Sequence, residues 1–486
     1  MTSELKNSKE KKKRKFHFEY TFVTLLFFGL FVWMVVYFVR FVYFDSEEFA
    51  KSSYNSRLSA FSEKIIRGDI YTSDKVQIAT TVTENGVDSR YYEYPNMFCH
   101  LVGYVTKGLT GVERDASDYL LANNNDYKTK IFNDIYDIRS DGDDVYTTVS
   151  YKLQRAAYEN FSGYDGAIIA IEPSTGKVLC MVSRPDFNMN SIQDVWGSIT
   201  DDATNSTLLN RAVAGLYPPG STFKLVTELA YMRQHSDFAD YKYNCTGSVE
   251  LNERMLHCVG GTVHGPVDFV TSLAYSCNCS LANMGLNMNV DKYRKTAEDL
   301  YFNKNIPTSI SGVKKSSFAL SKSDDEMMVG STAMGQGETL VTPLHMCFIT
   351  AAICNEGLAM EPYYIDKILA PDGYVTKQYN PKKAGQLMTK AEAAELKKNM
   401  RAMIETNSGS ALNVPEYMAY GKTGTAEISS EPGAAAHSWF VCFAEGHDGR
   451  QIAVACIMEK AGSGYSHALP LCKQVIDAYF NVEAEY

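Results

Sequence analysis

A serine and a lysine spaced for acyl-transfer chemistry stand in the segment Tyr-Pro-Pro-Gly-Ser-Thr-Phe-Lys, residues 217–224. Its prolines and glycine end the preceding element, and the apolar pattern that follows predicts a helix beginning at Ser221. Lys224 is then one turn from Ser221 on the same face. A serine hydroxyl is a weak nucleophile until a base removes its proton, and a partly desolvated lysine with a lowered pKa can be that base. An N-cap serine followed by a surface lysine would show the same pattern, so this motif alone does not decide between the two.

A second stretch, Ser276-Cys277-Asn278, offers a hydroxyl and a carboxamide two residues apart. Such groups can relay a proton and hydrogen-bond a peptide backbone. Similar tripeptides also cap many helices, so this stretch becomes informative only beside the first.

A third stretch, Lys-Thr-Gly-Thr-Ala-Glu at residues 422–427, is followed by two strand patterns. A strand here would carry the Lys422 cation and the Thr423 and Thr425 hydroxyls along one edge. A cation and two hydroxyls suit the recognition of a substrate carboxylate. The alternative is an exposed strand with a kink at Gly424.

The segments around these stretches predict the elements that would position them. Residues 166–183 have the pattern of a hairpin of two buried strands, and residues 437–444 and 451–459 repeat that form near the other end of the chain. A last amphipathic helix is predicted at 470–481, and apolar helices such as 343–355 occupy the middle. Strands at both ends with helices between them predict an α+β fold, in which one antiparallel sheet packs against a helical lobe.

The N-terminal part of the chain predicts a membrane anchor. Residues 1–15 carry seven basic and two acidic side chains, whereas the whole chain has a formal charge of −10. The uncharged apolar run 20–39 follows, and at ~1.5 Å per residue a helix of this length crosses a bilayer. Because basic flanks stay in the cytoplasm, Asp45, Glu47 and Glu48 and everything after them would lie outside. A cleaved signal peptide fits less well, since the run is too long and no small-residue cleavage site follows it.

The composition predicts a globular protein of two or three domains, with 486 residues of which 45% are hydrophobic and 21% charged. Its acidic balance argues against a nucleic-acid partner. The eleven cysteines are an odd number, so an exported domain keeps at least one free thiol. Cys245 and Cys258 flank a short polar hairpin-like segment and could form a disulfide. A metal site of these two with His257 and His264 is an alternative, but it lacks a recognised ligand spacing, so no metal is predicted.

The three stretches, in the order S-x-x-K, S-x-N and K-T-G, form a recognised signature of serine acyl-enzymes. With them the chain resembles the class B penicillin-binding proteins, which are monofunctional peptidoglycan D,D-transpeptidases. The resemblance runs from the anchor to the C-terminus and is strongest over residues 165–480. Further similar segments are Leu-Leu-Asn-Arg-Ala at 208–212, the Gly-Gln-Gly-Glu segment at 335–346, Gly-Ser-Ala-Leu at 409–412, the strand pattern at 437–444, Arg-Gly-Asp-Ile-Tyr at 67–71 and His-Leu-Val-Gly-Tyr-Val at 100–105.

The sequence departs from the family pattern in two places. Thr-Ser-Asp follows residues 67–71 where the family often has Asp-Arg-Asn-Gly, and the membrane-proximal region is short, which leaves the partner surface open. Cys277 stands where relatives often carry aspartate. Cys277 and Cys279 are interpreted as packing residues and not as redox partners.

The resemblance implies a role for each motif residue. Ser221 would attack the carbonyl between two D-alanines with Lys224 as the base, and an amine from a neighbouring strand would resolve the acyl-enzyme. The remaining implied roles are an oxyanion site formed by the backbone N–H groups of Ser221 and Thr425, proton relay to the departing D-alanine by Ser276 with Lys422, a hydrogen bond from Asn278 to the donor peptide, and substrate binding by Thr423, Gly424 and Thr425.

The resemblance also implies four regions: a basic cytoplasmic tail at 1–19, a transmembrane anchor at 20–39, an extracytoplasmic pedestal for dimerisation or partner binding at 40–160, and a transpeptidase domain at 161–486. The expected ligands are peptidoglycan stem peptides and β-lactam antibiotics, with no cofactor. A polytopic glycosyltransferase of the SEDS type is the expected membrane partner, bound through the anchor and the pedestal.

Other functions share part of this pattern. A D,D-carboxypeptidase differs in letting water resolve the acyl-enzyme, and a catalytically silent scaffold would not need intact motifs. A β-lactamase needs a group that activates water, and the sequence points to none.

Two further classes lack the domains they need. A bifunctional enzyme needs a glycosyltransferase domain, for which there is no room before Gly166. A β-lactam sensor needs a cytoplasmic output domain, whereas only residues 1–19 are expected in the cytoplasm. Roles in division, elongation and sporulation are not distinguished by the sequence.

Overall fold

A computed structural model describes residues 18–41, 65–161, 163–201, 206–406, 409–427 and 435–482. The chain forms two compact units, residues 1–57 and residues 58–486. The basic tail and the acidic residues Asp45, Glu47 and Glu48, on which the predicted orientation depends, lie outside the described residues.

The described α-helices are short apart from the first one and a few in the second half of the chain. In chain order they are α1 (Phe18–Arg40), α2 (Cys99–Val102), α3 (Gly111–Asp115), α4 (Ser117–Leu120), α5 (Tyr127–Tyr136), α6 (Tyr151–Glu159), α7 (Ile192–Thr200), α8 (Arg211–Ala214), α9 (Lys224–Met232), α10 (Phe269–Ala274), α11 (Asn278–Leu286), α12 (Val290–Asp299), α13 (Glu326–Ala333), α14 (Pro343–Cys354), α15 (Lys390–Ile404) and α16 (Ala468–Phe480). Short 3₁₀ helices occur at Met189–Ser191, Gly220–Phe223, Phe238–Asp240, Val259–Gly261 and Ser410–Leu412.

The described strands form two large sheets and several two-stranded pairs. In chain order they are β1 (Ile65–Ile66), β2 (Ile70–Tyr71), β3 (Gln77–Glu84), β4 (Val87–Tyr92), β5 (Ser140–Asp141), β6 (Asp144–Thr147), β7 (Gly166–Ile171), β8 (Val178–Arg184), β9 (Lys242–Cys245), β10 (Ser248–Leu251), β11 (Arg254–His257), β12 (Gly265–Asp268), β13 (Leu358–Met360), β14 (Ile365–Leu369), β15 (Val375–Gln378), β16 (Lys383–Gln386), β17 (Tyr417–Glu427), β18 (Ala436–Gly446) and β19 (Gln451–Met458).

Among the described helices, α1 alone is long and apolar enough to cross a membrane. Its stretch Tyr20–Arg40 has a mean hydropathy of 2.5, and none of it is buried within the protein. The apolar side chains surround the helix instead of forming one stripe, which is typical of a helix in lipid when no protein covers it. The predicted apolar helix is therefore confirmed, and it fits a single-pass membrane anchor.

A six-stranded sheet, in the order β15-β14-β6-β2-β3-β4, joins strands that are far apart in the chain. Strand β14 pairs antiparallel with β6, and β2 runs parallel to β6. Just before β2, Arg67 donates to the buried Glu113 carboxylate at 2.6 Å, and Arg90 donates to the same carboxylate at 2.7 Å. A buried carboxylate is costly without such partners. The first residue of the segment 67–71 therefore serves in a structural ion-pair cluster.

The sheet that carries the third motif has five antiparallel strands in the order β17-β18-β19-β7-β8. Strand β19 lies beside β7, so the strands at the two ends of the region 166–459 pair with each other, as predicted. Successive side chains of a strand point to opposite faces, and here each face enters its own core. On β7, Ile169 and Ile171 belong to the core that includes α14, whereas Ile168 and Ala170 belong to the core that includes α16.

The predicted helical lobe is built from α9 to α13. Helix α11 packs on α13, and α9 packs on α11 and α12. The antiparallel pairs β9–β12 and β10–β11 lie beside the lobe, with β11 contacting α11 and α13. The polar hairpin expected between Cys245 and Cys258 is the pair β10–β11. The five-stranded sheet, its covering helices and this lobe confirm the predicted α+β fold.

Candidate active site

Ser221 lies in the 3₁₀ turn Gly220–Phe223, which leads directly into helix α9. The predicted helix therefore begins as a tighter turn, in which side chains at i and i+3 eclipse each other. Gly220 has a φ of +52°, and a Cβ atom there would lie 2.7 Å from the carbonyl oxygen of Thr425. Only glycine allows that conformation and that approach. Ser221 is partly exposed, whereas Lys224 is fully buried.

Contacts on both sides fix the turn in place. Trp439 Nε1 donates to the carbonyl oxygen of Pro218 at 3.0 Å. Thr222 Oγ1 donates to the carbonyl oxygen of Pro219 at 2.7 Å. Phe223 packs in a cluster of aromatic rings, which are those of Tyr293, Phe302 and Phe318. Because backbone and side chains are both tied down, Ser221 is presented from a rigid element.

The second motif closes around Lys224. Lys224 Nζ donates to the carbonyl oxygen of Ser276 at 2.7 Å, to Ser276 Oγ at 3.1 Å and to Asn278 Oδ1 at 2.7 Å. Ser276 has a φ of 55°, a left-handed conformation that serine seldom adopts. This backbone conformation lets both its carbonyl and its hydroxyl face the lysine. Asn278 Nδ2 in turn donates to the carbonyl oxygen of His257 at 2.9 Å.

Burial lowers the pKa of Lys224 to about 8, although nearby thiols and Glu228 oppose the shift. Removing an ammonium group from water disfavours its charged form, which is why the pKa falls. Near pH 8 a large fraction of this amine is neutral and able to accept a proton. Lys224 therefore meets the requirement for a general base that the sequence predicted.

Strand β17 is an edge strand of the five-stranded sheet and runs past the 3₁₀ turn. A Cβ atom at Gly424 would lie 3.0 Å from Thr222 Cγ2 and 2.9 Å from Trp439 Cβ. The missing side chain therefore allows the strand to lie against the turn. Thr423 and Thr425 are partly exposed on this strand. Because they are two residues apart, their hydroxyls lie on the same side of it.

Lys422, the first residue of the third motif, is fully buried, and its Nζ donates to the carbonyl oxygen of Thr423 at 3.0 Å. Burial lowers the pKa of Lys422 well below its usual value, and the charge of Lys224 lowers it further. The two hydroxyls thus face the open side of the strand while the cation faces the interior. The mutual influence of the two lysines means that the first and third motifs share one electrostatic environment.

The structure brings the three predicted stretches together. The turn with Ser221 contacts β17, and Lys224 reaches Ser276 and Asn278. Within the described residues, Ser221 Oγ makes no hydrogen bond with Lys224, whose bonds go to the second motif. Catalytic hydrogen bonds of this kind are often long or absent until substrate binds.

Sequence reasoning missed a buried carboxyl group near the two lysines. Glu228 stands one turn after Lys224 on α9 and is fully buried. Asn399 Nδ2 donates to its Oε2 at 2.9 Å, and its Oε1 has no partner among the described residues. Burial raises the pKa of Glu228 to about 8, although the Asn399 hydrogen bond and the charge of Lys422 oppose the shift. The only sequence signal was an acidic residue in a mainly apolar helix.

Replacement of Glu228 by glutamine is expected to make stability less dependent on pH. The pKa of this carboxyl is raised from 4.5 to about 8 in the folded protein, so the folded chain binds a proton that the unfolded chain releases. The stability that comes from this group is complete below pH 4.5 and is lost as the pH rises through about 8. Thermal denaturation at about pH 6 and about pH 8 should show a larger fall in Tm for the wild type than for Glu228→Gln. The exposed Glu338→Gln variant should behave like the wild type, and equal falls in all three would contradict this prediction.

The eleven cysteines are free and buried. The Sγ atoms of Cys245 and Cys258 are 3.7 Å apart, whereas a disulfide bond measures about 2.05 Å. The suggested disulfide is therefore not formed in this structure. His257, considered as a metal ligand with these cysteines, is exposed and lies outside their cluster, whereas His264 and Cys277 belong to it.

An alcohol on a rigid turn, an amine that can be neutral near physiological pH and a free strand edge for a peptide are what a serine acyl transferase requires. The sequence over residues 166–477 matches the family of the penicillin-binding protein transpeptidase domain.

Known proteins agree with this match. Peptidoglycan D,D-transpeptidase PbpA of Mycolicibacterium smegmatis is 29% identical over 416 residues, which cover 80% of this chain and 84% of that protein. Peptidoglycan D,D-transpeptidase MrdA of Acinetobacter baumannii is 27% identical, with 84% of this chain and 67% of that protein covered. The structure of penicillin-binding protein A from M. tuberculosis, a ceftriaxone acyl-enzyme complex, is 25% identical with a TM-score of 0.78, covering 86% of this chain and 99% of that one. The chain therefore belongs to the penicillin-binding protein family, in the class B group of peptidoglycan D,D-transpeptidases, which confirms the resemblance inferred from the motifs.

Proposed function

We propose that this D,D-transpeptidase cross-links peptidoglycan stem peptides through an acyl-enzyme on Ser221, and that β-lactams acylate the same hydroxyl. The observation that carries the proposal is the position of Lys224, one turn from Ser221 and bonded to both Ser276 and Asn278. Intact-protein mass spectrometry after exposure to a β-lactam, followed by peptide mapping, tests it. One adduct on the peptide that contains Ser221 is expected, and an adduct on another peptide would reject the assignment.

Acylation begins when neutral Lys224 exchanges one bond with the second motif for a bond with Ser221. The amine takes the hydroxyl proton while Ser221 Oγ attacks the carbonyl carbon between the two D-alanines. The backbone N–H groups of Ser221 and Thr425 are the proposed oxyanion donors, since the turn and the strand edge lie against each other at this point. Loss of one such donor typically raises a barrier by ~3 kcal/mol.

Collapse of the tetrahedral intermediate breaks the carbon–nitrogen bond and requires a proton on the departing D-alanine. Ser276 Oγ lies 3.1 Å from Lys224 Nζ and is the proposed relay for that proton, assisted by Lys422. An acceptor amine then attacks the ester carbon and gives up its proton to neutral Lys224. The bond between that carbon and Ser221 Oγ breaks, and Lys224 returns the proton to Oγ. The named D,D-transpeptidase relatives support an amine over water as the acceptor.

Substrate recognition is assigned to the polar groups on the open side of the site. The Thr423 and Thr425 hydroxyls, together with the backbone at Gly424, are proposed to bind the terminal carboxylate of the donor peptide. Asn278 is buried and is proposed, from the family resemblance, to bind the peptide backbone.

The Thr425→Val variant is expected to lose about 10- to 100-fold in the second-order rate constant for acylation by penicillin. A hydrogen bond to a charged group is worth about 1.5–3 kcal/mol, and valine removes the hydroxyl while keeping the shape and the backbone N–H. Stopped-flow measurements with a fluorescent penicillin give this constant. Thr425→Ser keeps a hydroxyl and should stay close to the wild type, and an unchanged rate in Thr425→Val would rule out the carboxylate role.

The orientation in the membrane is also proposed from the sequence. The basic tail would stay in the cytoplasm, which would place residues 58–486 on the other side. Protease treatment of intact spheroplasts tests this, because the large unit should be digested without permeabilising the cells.

A SEDS-type polytopic glycosyltransferase is the proposed membrane partner, on the strength of the family resemblance. Helix α1 and the pedestal region 40–160 are the proposed contact elements. Photo-cross-linking residues placed along α1 in living cells should capture such a protein, and capture of unrelated proteins alone would reject the proposal.

A further inference from the structure

Helix α5 (Tyr127–Tyr136) presents its apolar side chains to the outside of the protein. None of its ten residues is buried. Tyr127, Ile131 and Ile135 follow one another at intervals of four residues and therefore share one face. Phe132 and Tyr136 extend that face, with ring centroids 4.5 Å apart. These five side chains form the outer face of α5, with exposed fractions of 78% for Tyr127, 43% for Ile131, 53% for Phe132, 70% for Ile135 and 63% for Tyr136.

The polar side of α5 faces the protein instead. Thr129, Lys130 and Asn133 are the partly buried residues of the helix, and the others are exposed. Asn133 Nδ2 donates to Oγ of the buried Ser140 at 3.0 Å. A surface helix normally packs its apolar stripe against the core and leaves its polar side to water. The reversed arrangement of α5 indicates that its outer face is covered by something other than the described part of the chain.

Helix α5 adjoins the place where the chain enters the large unit, residues 58–486. Strand β5 (Ser140–Asp141) follows α5 closely and pairs in parallel with β1 (Ile65–Ile66). Strand β1 is the first described element of this unit, and residues 42–64 lead to it from α1. Because α1 fits a membrane anchor, a lipid surface is a partner that the chain itself brings to this part of the protein.

The composition of the outer face fits lipid better than a protein partner. Tyrosine is enriched where proteins meet the membrane–water interface, because its ring is apolar while its hydroxyl stays hydrated. Lys128 is exposed and lies one turn before Phe132 on the same face. The centre of a protein–protein interface is depleted in lysine. At a bilayer surface, in contrast, a lysine stem lies along apolar groups while its ammonium reaches water.

We propose that the outer face of α5 lies in the interfacial layer of the bilayer in which α1 is anchored. An amphipathic helix of this kind buries its apolar face ~5–10 Å into the boundary between headgroups and acyl chains. The helix and its N-cap carry two basic side chains, Lys128 and Lys130, and two acidic ones, Asp126 and Asp134. Apolar burial therefore drives the contact, and anionic lipid is not required. This second attachment restricts how the large unit tilts above the membrane, and it does not depend on the acyl-transfer chemistry.

Fluorescence quenching in a bilayer tests the proposal on the full-length protein. The Ile135→Cys variant introduces an exposed thiol on the outer face. Because the eleven native cysteines are buried, a maleimide of the polarity-sensitive dye NBD labels the new position. The labelled protein is placed in nanodiscs of neutral phosphatidylcholine, with a single chain in each disc. The emission from position 135 should lie at shorter wavelength than in the control and should fall by about half when the lipids carry a nitroxide near the headgroup.

The matched control is Ser236→Cys, which places the same dye at an exposed position just beyond α9. Its emission should not change when the nitroxide lipids are used. Equal quenching at both positions, or no quenching at position 135, would overturn the proposal. A shift to shorter wavelength at position 135 without quenching would mean that another part of the same chain covers the outer face, and it would overturn the proposal as well.

A substitution in the centre of the outer face separates contact by the helix from contact by the dye. In the Ile135→Cys protein, Phe132→Glu should abolish the quenching, because a carboxylate resists transfer out of water. Phe132→Leu keeps an apolar side chain and should keep the quenching. Phe132 is half exposed, so neither change empties the core, and circular dichroism confirms that each variant is folded. Quenching retained in a folded Phe132→Glu protein would assign the contact to the dye and reject the membrane contact of α5.

Discussion

The Ser221→Ala variant is expected to form no covalent adduct with fluorescent penicillin, while the wild type is labelled. The methyl group of alanine cannot attack a carbonyl carbon, and removal of a serine nucleophile in another enzyme costs about 10⁶-fold in rate. Gel fluorescence after incubation at saturating penicillin, with intact mass on the same samples, measures the loss.

The matched control is Ser236→Ala, which removes an exposed hydroxyl a short distance beyond α9. It should be labelled like the wild type. Labelling of a folded Ser221→Ala protein would transfer the nucleophile to another residue and end the proposed mechanism, whatever the fold.

The Lys224→Arg variant is expected to acylate about 10²- to 10⁴-fold more slowly than the wild type, which is the usual contribution of a general base. Arginine keeps the positive charge and can still donate to Ser276 and Asn278, but it does not lose its proton near neutral pH. The wild-type rate should rise with pH through about 8 as Lys224 becomes neutral, and this rise should be absent in Lys224→Arg. Stopped-flow acylation across this pH range gives both quantities.

Two further variants separate loss of the base from loss of structure. Lys224→Met has a side chain of similar length without charge, so it covers the case in which arginine does not fit the buried position. Lys292→Arg carries the same substitution at an exposed lysine and should keep the rate and pH profile of the wild type. A folded Lys224 variant with the wild-type pH profile would exclude Lys224 as the base.

Local patterns were enough to predict the apolar N-terminal helix and most of the sheet that carries the third motif. The apolar run 20–39 predicted α1, and the buried hairpin and strand patterns predicted β7, β8, β18 and β19. These predictions succeeded because helix and strand periodicity depend on neighbours within a few residues. The i, i+3 spacing of Ser221 and Lys224 is also a local pattern, and it predicted that the two residues are one turn apart. The first turn is a 3₁₀ helix and not an α-helix.

Contacts between distant segments could not be predicted in this way. Strands β14 and β15 complete the six-stranded sheet beside β6. In the chain, β7, β8 and the whole helical lobe lie between β6 and β14. Nothing in the local sequence of Glu228 shows that it is fully buried beside two lysines. The sequence also does not show which histidine lies beside the cysteines. His264 joins Cys245, Cys258 and Cys277, whereas His257 does not. This outcome depends on where the hairpin β10–β11 packs against α11.

By itself the sequence determined the identity and order of the reactive residues, since the chemistry of a hydroxyl, an amine and a carboxamide belongs to the side chain. Only the tertiary structure decided their state: Lys224 has its pKa lowered because other segments exclude water from it, and Ser276 faces it because the backbone there is left-handed. Desolvation and hydrogen-bond geometry arise from segments far apart in the chain, and no local pattern encodes them.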